Sequence, residues 1–458
     1  MAHFDLAILG SGSANSIVDQ RFGHLRVALL DDLKVHFGGT CLNVGCIPTK
    51  MFVHTADLAA GPAHAAGFGL EQQTTAVHWP QIRDRVFGRI DPISESGLRY
   101  RAEGTANLTF FPGQAAFTGP GALAVGDEQI TADRIVIATG SRPILPDLPG
   151  LAETGYLTNE DAMRLDELPQ RLIILGSGFI ASEFAHVFSS LGTKVTVVAR
   201  SGGLLRAQDE EVSAFFTGLA AEKWDVRLNR RAALAERTPE GVRLHLDGPD
   251  GVETVDADHL LVAVGRRPNG DLLNLPAAGV RVHPDGRIVV DEFQRTTAPG
   301  VWALGDVSSE YQLKHVANHE ARIVQHNLLN PDQLQAADHR FVPHAVFTSP
   351  QIASVGLTEQ RARADGVTFV TGRCQYGSIA YGWAMNEPAG FAKILAEPGT
   401  GRLLGAHIIG PQAPTLIQPL IQAITFGLDA RTMARGQYWI HPAMPELLEN
   451  ALLDLPLD

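Results

Sequence analysis

The chain has 458 residues, of which 45% are hydrophobic and 19% are charged, a composition typical of a soluble globular protein. Its length predicts roughly three domains, and its formal net charge of -13 argues against nucleic acid or an anionic membrane as a partner, because both require clustered lysine and arginine. No apolar run approaches the roughly 18 residues of a membrane-spanning helix, and the N-terminal residues predict a strand rather than a signal peptide. We therefore expect a cytoplasmic protein.

The first predicted element is an apolar strand, residues 4–9, which leads into a glycine turn at residues 10–15 and then a helix-compatible stretch. A second apolar strand follows at residues 27–30 and ends at Asp31. This spacing predicts the strand–helix–strand unit of a doubly wound nucleotide-binding fold, with Asp31 placed to accept hydrogen bonds from a ribose. Asn15 stands where a third glycine is usual, so we expect the first helix to sit differently or to hydrogen-bond to its turn.

The next feature is a close cysteine pair, Cys41 and Cys46, within the segment GGTCLNVGCIPTK at residues 38–50. Residues five apart on a regular helix have Cα atoms roughly 8–9 Å apart, whereas a disulfide cannot close beyond about 7 Å. Bridging the pair therefore requires a distorted turn, which Gly45 and Pro48 tolerate or impose, and such a bridge suits redox catalysis. A zinc site and two inert core thiols are the alternatives. Zinc needs about four ligands, and the third cysteine, Cys374, is distant.

Two more apolar strands end in glycine, at Gly140 and Gly265, and fit parallel strands that deliver a turn to a ligand. The proline-rich residues 142–150 follow the first of them and predict a linker between domains. Residues 266–269 follow the second and predict the return linker.

A second glycine turn, residues 176–181, follows the predicted strand at residues 172–175. The next strand ends in Ala199, with Arg200 beside it and Arg206 six residues later, so no acid stands where a ribose-binding one would be. Two guanidinium groups suit a 2′-phosphate, and we expect this site to prefer NADPH. Two solvated surface arginines are the alternative.

Residues 39–48, GTCLNVGCIP, closely resemble the active-site segment of the pyridine nucleotide–disulfide oxidoreductases. The resemblance spans the chain: residues 297–306 resemble the second flavin motif, residues 347–359 the start of the dimer-interface domain, and residues 441–446 the C-terminal His–Glu dyad. It implies an α/β fold with two doubly wound, Rossmann-like nucleotide-binding domains and an α+β C-terminal dimerisation domain. The expected bounds are 1–145 with 268–335 for the FAD-binding domain, 146–267 for the NADPH-binding domain and 340–458 for the dimer-interface domain.

The same resemblance implies a homodimeric enzyme that uses FAD and NADPH, and no metal, to reduce a small-molecule disulfide. Cys46 would face the flavin as the charge-transfer thiolate, and Cys41 would attack the substrate. The other expected catalytic residues are Lys50 and Glu183, paired near flavin N5, and His441 with Glu446, a dyad that reaches the cysteines of the other subunit. The expected FAD-binding residues are Gly10, Gly12, Asp31, Gly39, Thr40, Lys50, Gly113, Ala138, Thr139, Gly140, Asp306 and Ala317. The expected NADPH-binding residues are Gly176, Gly178, Ile180, Glu183, Arg200, Arg206 and Gly265.

Within the family, Asn15 and residues 441–450 resemble the mycothione reductase branch, which implies mycothiol disulfide as the substrate. The dihydrolipoamide dehydrogenase branch is an alternative, although it more usually has serine at Thr49 and an acid near Ala199. The glutathione reductase branch shares the two arginines, but residues 51–60 hold no Lys or Arg to clamp an anionic tripeptide disulfide. A flavoprotein that serves as a binding module without thiol chemistry is a rival of a different class.

Overall fold

The structure, a computed structural model, describes residues 1–457 and divides into three units, each built on its own main sheet. The first unit has a seven-stranded sheet whose parallel part brings the N-terminal strand to its centre. Its strands are, in sheet order, Leu108–Pro112, Val27–Asp31, Ala2–Leu9, Glu128–Ile137, Ala122–Val125 and Ala115–Gly119, with Val301–Ala303 also paired to Glu128–Ile137. The late strand shows that the chain leaves this unit and returns to it.

The helices of the first unit are Gly39–Asn43, Cys46–Ala66, Trp79–Glu103 and Lys314–Leu329. The α-helix predicted after the first glycine turn is wrong: the turn is followed only by the 3-10 helices Ser13–Ser16 and Gln20–Phe22. Side chains of Arg101 and Gln325 donate hydrogen bonds to the carbonyl groups of this segment, and these tertiary contacts stabilise its short 3-10 form.

The second unit contains a four-stranded parallel sheet, in the order Asp225–Arg227, Lys194–Val198, Arg171–Leu175 and His259–Val262. Its crossover helices are Phe179–Ser190 and Glu210–Lys223. A three-stranded antiparallel sheet completes it, formed by Arg231–Thr238, Gly241–Gly248 and Gly251–Ala257. The two predicted linkers pair with each other as an antiparallel ribbon of Ser141–Pro143 and Arg266–Pro268.

The third unit has a five-stranded antiparallel sheet, in the order His344–Val346, Ile352–Gly356, Leu403–Ile409, Phe391–Ala396 and Val370–Gln375. Short helices cover it, namely Glu359–Ala364, Ala380–Ala384, Ala413–Leu416, Gln418–Phe426, Ala430–Arg435 and Glu446–Leu453. The remaining elements are the helix Asn159–Ala162 and the 3-10 helices Ala152–Thr154, Asn269–Leu272, Leu275–Ala278, Gly305–Val307 and Tyr376–Ser378.

The predicted fold class is confirmed: two units wound on parallel strands precede an α+β unit. The three domain bounds themselves stay a prediction. Within residues 1–457 no helix is both long and apolar enough to span a membrane.

Candidate active site

A cleft with a volume of about 480 Å³ runs along the first unit from Asp31 to the cysteine pair. It is lined by every residue expected to bind FAD, and by Ile180 and Glu183 of the second unit. A Cβ on Gly12 would meet only the Cα of Gly39, at 4.0 Å, so it would occupy the space of the cleft itself. Bare backbone at such a position lets a dinucleotide approach closely, and the cleft therefore fits FAD.

Both thiols of the cysteine pair line this cleft, on either side of a break between two helices. Cys41 lies in Gly39–Asn43 and Cys46 begins Cys46–Ala66. The backbone turns between them, with φ −140° at Val44 and φ −133° at Gly45, which is the distortion that the spacing predicts. A Cβ on Gly45 would lie 2.9 Å from the carbonyl oxygen of Thr40, so glycine is needed at the break.

Side chains also donate hydrogen bonds to backbone carbonyls at the break between the two helices. Asn159 donates to the carbonyl of Val44 at 2.8 Å, and Thr49 donates through Oγ1 to that of Gly45 at 2.7 Å. The buried Asn43 amide donates to the carbonyl of Gly39 at 3.0 Å. The cysteine segment is therefore held in one conformation.

The two cysteines are free thiols that share a hydrogen bond and have unlike acidities. The hydrogen bond from Cys41 lowers the pKa of Cys46 to about 7, with further help from Lys50 and against the effect of burial. The same hydrogen bond, together with burial, raises the pKa of Cys41. The negative charge of the reduced pair is thus placed on Cys46.

Lys50 and Glu183 form an ion pair across two units. Lys50 Nζ lies 2.7 and 2.6 Å from the two carboxylate oxygens of Glu183, whose side chain is 3% exposed. The backbone N–H of Phe347 also donates to Glu183, at 2.9 Å, and the centre of the Phe347 ring lies 4.8 Å from Lys50 Nζ. The pair brings a cation to the same end of the cleft as Cys46.

Asp31 lies at the other end of the cleft and holds the first glycine turn. Its Oδ2 accepts from the backbone N–H of Ser11 at 2.6 Å, and its Oδ1 accepts from that of Leu33 at 2.7 Å. Each carboxylate oxygen keeps a second lone pair for a ribose hydroxyl.

Of the residues expected to bind NADPH, Ile180 and Glu183 line the cleft, whereas Gly176, Gly178, Gly265, Arg200 and Arg206 lie outside it. Both arginines are exposed. Neither of them forms an ion pair or a hydrogen bond with any described residue, unlike arginines such as Arg21, Arg142 and Arg171, which pair with a carboxylate. Two free guanidinium groups at this edge of the sheet suit an anionic ligand.

The segment that carries Arg206 ends on a buried ion cluster shared with the third unit. Asp209, fully buried, accepts from Lys393 Nζ at 2.9 Å and from the backbone N–H of Glu359 at 3.0 Å. Lys393 is 6% exposed and also pairs with Glu359 Oε2 at 2.5 Å. Burial opposes ionisation of Asp209, but these hydrogen bonds outweigh it and lower the pKa of that carboxyl.

His441 and Glu446 form the expected pair but do not line the cleft. His441 Nδ1 lies 2.7 Å from Glu446 Oε1, and the other oxygen of Glu446 accepts from the backbone N–H of Ala443 at 3.1 Å. The His441 side chain is 70% exposed. A single chain therefore does not bring this histidine to its own cysteines.

Several residues that line the cleft were not singled out from the sequence. Ser141 donates to Asp306 at 2.7 Å, and Arg266 donates to Ser141 Oγ at 2.8 Å, so Arg266 holds Asp306 through the serine. Burial lowers the pKa of Arg266. Lys314 donates to Ser13 Oγ at 2.8 Å. No short motif marks these side chains, because separate elements bring them together.

Two matches to known families cover most of the chain. Residues 4–321 match pyridine nucleotide-disulphide oxidoreductase, and residues 342–452 match the dimerisation domain of the same family. In the described part of the chain, no group of three or more His, Cys, Asp or Glu side chains is arranged to hold a metal ion.

Two relatives match along all or nearly all of their lengths. The chain is 52% identical to a mycothione reductase from Mycobacterium tuberculosis, over 99% of this chain and 100% of that protein. It is 33% identical to a dihydrolipoyl dehydrogenase from Halobacterium salinarum, over 98% of this chain and 95% of that one. Among solved structures, an HOCl-induced flavoprotein disulfide reductase from Escherichia coli superposes with a TM-score of 0.86 at 28% identity, over 98% of this chain and 99% of that chain.

Proposed function

The chain belongs to the pyridine nucleotide-disulphide oxidoreductase family, and we propose that it uses FAD and NADPH to reduce mycothiol disulfide through the Cys41–Cys46 pair. The carrying observation is the placement of both thiols in the cleft that the first glycine turn and Asp31 also line, beside the Lys50–Glu183 ion pair. The identity to mycothione reductase supports NAD(P)H-dependent reduction of a low-molecular-weight disulfide and favours mycothiol disulfide within that class.

When bound, FAD supplies a two-electron carrier between the nicotinamide and the disulfide. Cys46, whose pKa is lowered to about 7, holds the thiolate at the cleft wall. Lys50 places a positive charge near the Cys46 thiolate, and Glu183 holds the Lys50 ammonium group in position through two hydrogen bonds. Cys41 keeps its proton more firmly and becomes a nucleophile when a base removes that proton.

That base would come from a second copy of the chain. Residues 342–452 match a dimerisation domain, which supports a homodimer. The exposed His441 is oriented by Glu446 through a 2.7 Å contact, as a proton-transferring histidine requires. We propose that this dyad reaches Cys41 of the other subunit, so that each active site is shared.

NADPH is favoured over NADH by Arg200 and Arg206, which present two guanidinium groups without a carboxylate partner in the described part of the chain. The 2′-phosphate of NADPH would accept paired, charged hydrogen bonds from these two guanidinium groups, and NADH has no such phosphate.

The decisive experiment measures NADPH-dependent turnover of the purified flavoprotein with the disulfides of mycothiol, glutathione and lipoamide. We expect kcat/KM to be highest with mycothiol disulfide. Cys41→Ser should reduce turnover to background, because the enzyme loses the thiol that attacks the substrate disulfide. NADPH should still bleach the flavin, because hydride transfer to the flavin does not need Cys41. Cys374→Ser is the matched control, since that buried thiol lies on a strand of the third unit.

Two outcomes would contradict the proposal. Highest kcat/KM with either of the other disulfides would overturn the substrate, and unchanged turnover in Cys41→Ser would overturn the thiol mechanism.

A further inference from the structure

The first glycine turn lacks the structural feature that normally stabilises a pyrophosphate. In a doubly wound fold, that anion lies at the N-terminus of the helix after the turn, where backbone N–H groups and the helix dipole favour negative charge. The second turn has such a helix, Phe179–Ser190, with 12 residues. The first turn is followed by a 3-10 helix of four residues, Ser13–Ser16. So short a helix contributes little dipole.

A buried guanidinium holds the first turn in this form. Arg101, 9% exposed, donates to Asn15 Oδ1 at 2.7 Å, to the Asn15 carbonyl at 2.6 Å and to the Val18 carbonyl at 3.1 Å. The expectation that this segment would hydrogen-bond to its own turn is not met at the Asn15 side chain, which accepts instead from Arg101 of the helix Trp79–Glu103. All three acceptors are neutral, so the interaction shapes the turn and leaves the charge of a bound anion to be balanced elsewhere.

Lys314 brings a second positive charge to the same place. It is the first residue of Lys314–Leu329, it lines the cleft, and its Nζ donates to Ser13 Oγ at 2.8 Å. Ser13 opens the short 3-10 helix, so the ammonium group lies beside the turn where a helix N-terminus would otherwise face the ligand.

Among the three lysines that line the cleft, Lys314 alone has no carboxylate partner among the described residues. Lys50 pairs with Glu183, and Lys34 pairs with Asp32 at 3.1 Å. A half-buried ammonium group with one neutral acceptor favours a nearby anion, because part of its hydration is lost without compensation.

We propose that Lys314 binds the pyrophosphate of FAD and replaces the missing helix dipole at the first glycine turn. This role rests on the proposed function, since it requires that the cleft bind FAD. The cation is supplied by a helix some 300 positions further along the chain, so no motif next to the turn would reveal it. Lys314 is thus a binding residue for the cofactor, distinct from the thiol machinery.

The test measures FAD affinity. Full-length Lys314→Met is stripped of flavin and titrated with FAD, with quenching of flavin fluorescence as the readout. We expect the Kd to rise about 10- to 100-fold, as for the loss of one charged hydrogen bond, and its dependence on salt concentration to weaken. Lys314→Arg should keep the Kd within about threefold of wild type, because the charge remains.

Lys34→Met is the matched control, because it removes a lysine that lines the same cleft but is already paired. Thermal unfolding of each apoprotein shows that the variants fold, and Lys314→Gln stands in if the methionine variant does not. A Kd within twofold of wild type for the uncharged Lys314 variant overturns this role. Lys314 also lowers the pKa of Cys41. A variant whose only change is a shifted pH profile for alkylation of Cys41 would therefore overturn the role in FAD binding.

Failure of the proposed function gives a different result. A wild-type chain that takes up no FAD would overturn that function as a whole, and the titration needs neither NADPH nor a disulfide. A wrong substrate assignment therefore leaves this result untouched.

Discussion

The two glycine turns share the same pattern of backbone hydrogen bonds but have different surroundings. Gly10 donates to the carbonyl of Leu30, and Gly176 donates in the same way to that of Val198. On the other side of each turn, a neighbouring strand also donates a hydrogen bond. The backbone N–H of Ala138 donates to the carbonyl of Leu9, and that of Ala263 donates to the carbonyl of Leu175. The parallel strands and the first glycine therefore define the turn, and they do so with the same hydrogen bonds in two parts of one chain.

The elements after the two turns differ, and the difference shows which parts of a nucleotide site are local. The second turn continues into an α-helix. The first continues into a short 3-10 helix, and side chains from two distant helices donate to the carbonyl groups of that segment. A glycine turn thus depends on nearby sequence. The positive charge that we propose for the ligand comes from a distant helix at the first turn, through Lys314, and from the segment after the next strand at the second, through Arg200 and Arg206.

The largest expected effect comes from the buried cluster that anchors the second turn's arginine segment to the third unit. Lys393→Met should lower the free energy of unfolding by about 3–5 kcal/mol, because Asp209 would remain buried without its cation. Urea unfolding followed by tryptophan fluorescence measures the change. The exposed Lys194→Met on the same unit is the control and should stay within about 0.5 kcal/mol of wild type. Equal stability of the two variants would remove the cluster as the anchor.

The next effect tests whether the two turns are equivalent in their backbone. Gly10 has φ +107° and an added Cβ would lie 2.4 Å from the Ala138 carbonyl oxygen; Gly176 has φ +144° and a contact of 2.2 Å with that of Ala263. Gly10→Ala and Gly176→Ala should each cost about 2–4 kcal/mol of folding stability, from strain and displacement together.

The second glycine of each turn is the matched control for those variants. An added Cβ on Gly12 would touch only Gly39 at 4.0 Å, and one on Gly178 would touch nothing within 4 Å. Gly12→Ala and Gly178→Ala should therefore unfold like wild type but bind their nucleotides more weakly, which urea unfolding and nucleotide titration measure separately. If Gly10→Ala and Gly176→Ala proved unequal by more than about 2 kcal/mol, the equivalence of the turns would be refuted.

Much of this architecture is predictable from the sequence. Strands that end in Gly10, Asp31 and Gly176 are predicted because apolar runs and glycine have fixed local consequences. The break between Cys41 and Cys46 is predicted by distances along a helix. The missing first helix is not predictable, because residues 13–18 are compatible with a helix until Arg101 and Gln325 arrive from elsewhere.

The candidate site divides in the same way. The motifs predict the residues that the backbone presents directly, and all the expected FAD-binding positions line the cleft. They do not predict Lys314 or Arg266, since each acts through a serine that is distant in sequence. The cluster of Asp209 and Lys393 is likewise invisible, because 184 positions separate its partners.

The smallest effect concerns the charged side chains that distinguish the two turns, which are Asp31 at the first and Arg200 with Arg206 at the second. Replacing both Arg200 and Arg206 by alanine should raise the KM for NADPH about 100-fold, as two charged hydrogen bonds are lost, and leave the KM for NADH within about threefold. Steady-state kinetics with each nucleotide measures the difference. Because both arginines are exposed and neither forms an ion pair or a hydrogen bond with another described residue, the fold should be unaffected. Arg231→Ala is the control, since that exposed arginine lies on the same unit without an ion pair to any described residue. A parallel rise in both KM values would mean that the arginines shape the site rather than select the phosphate, and the contrast with Asp31 would lose its chemical basis.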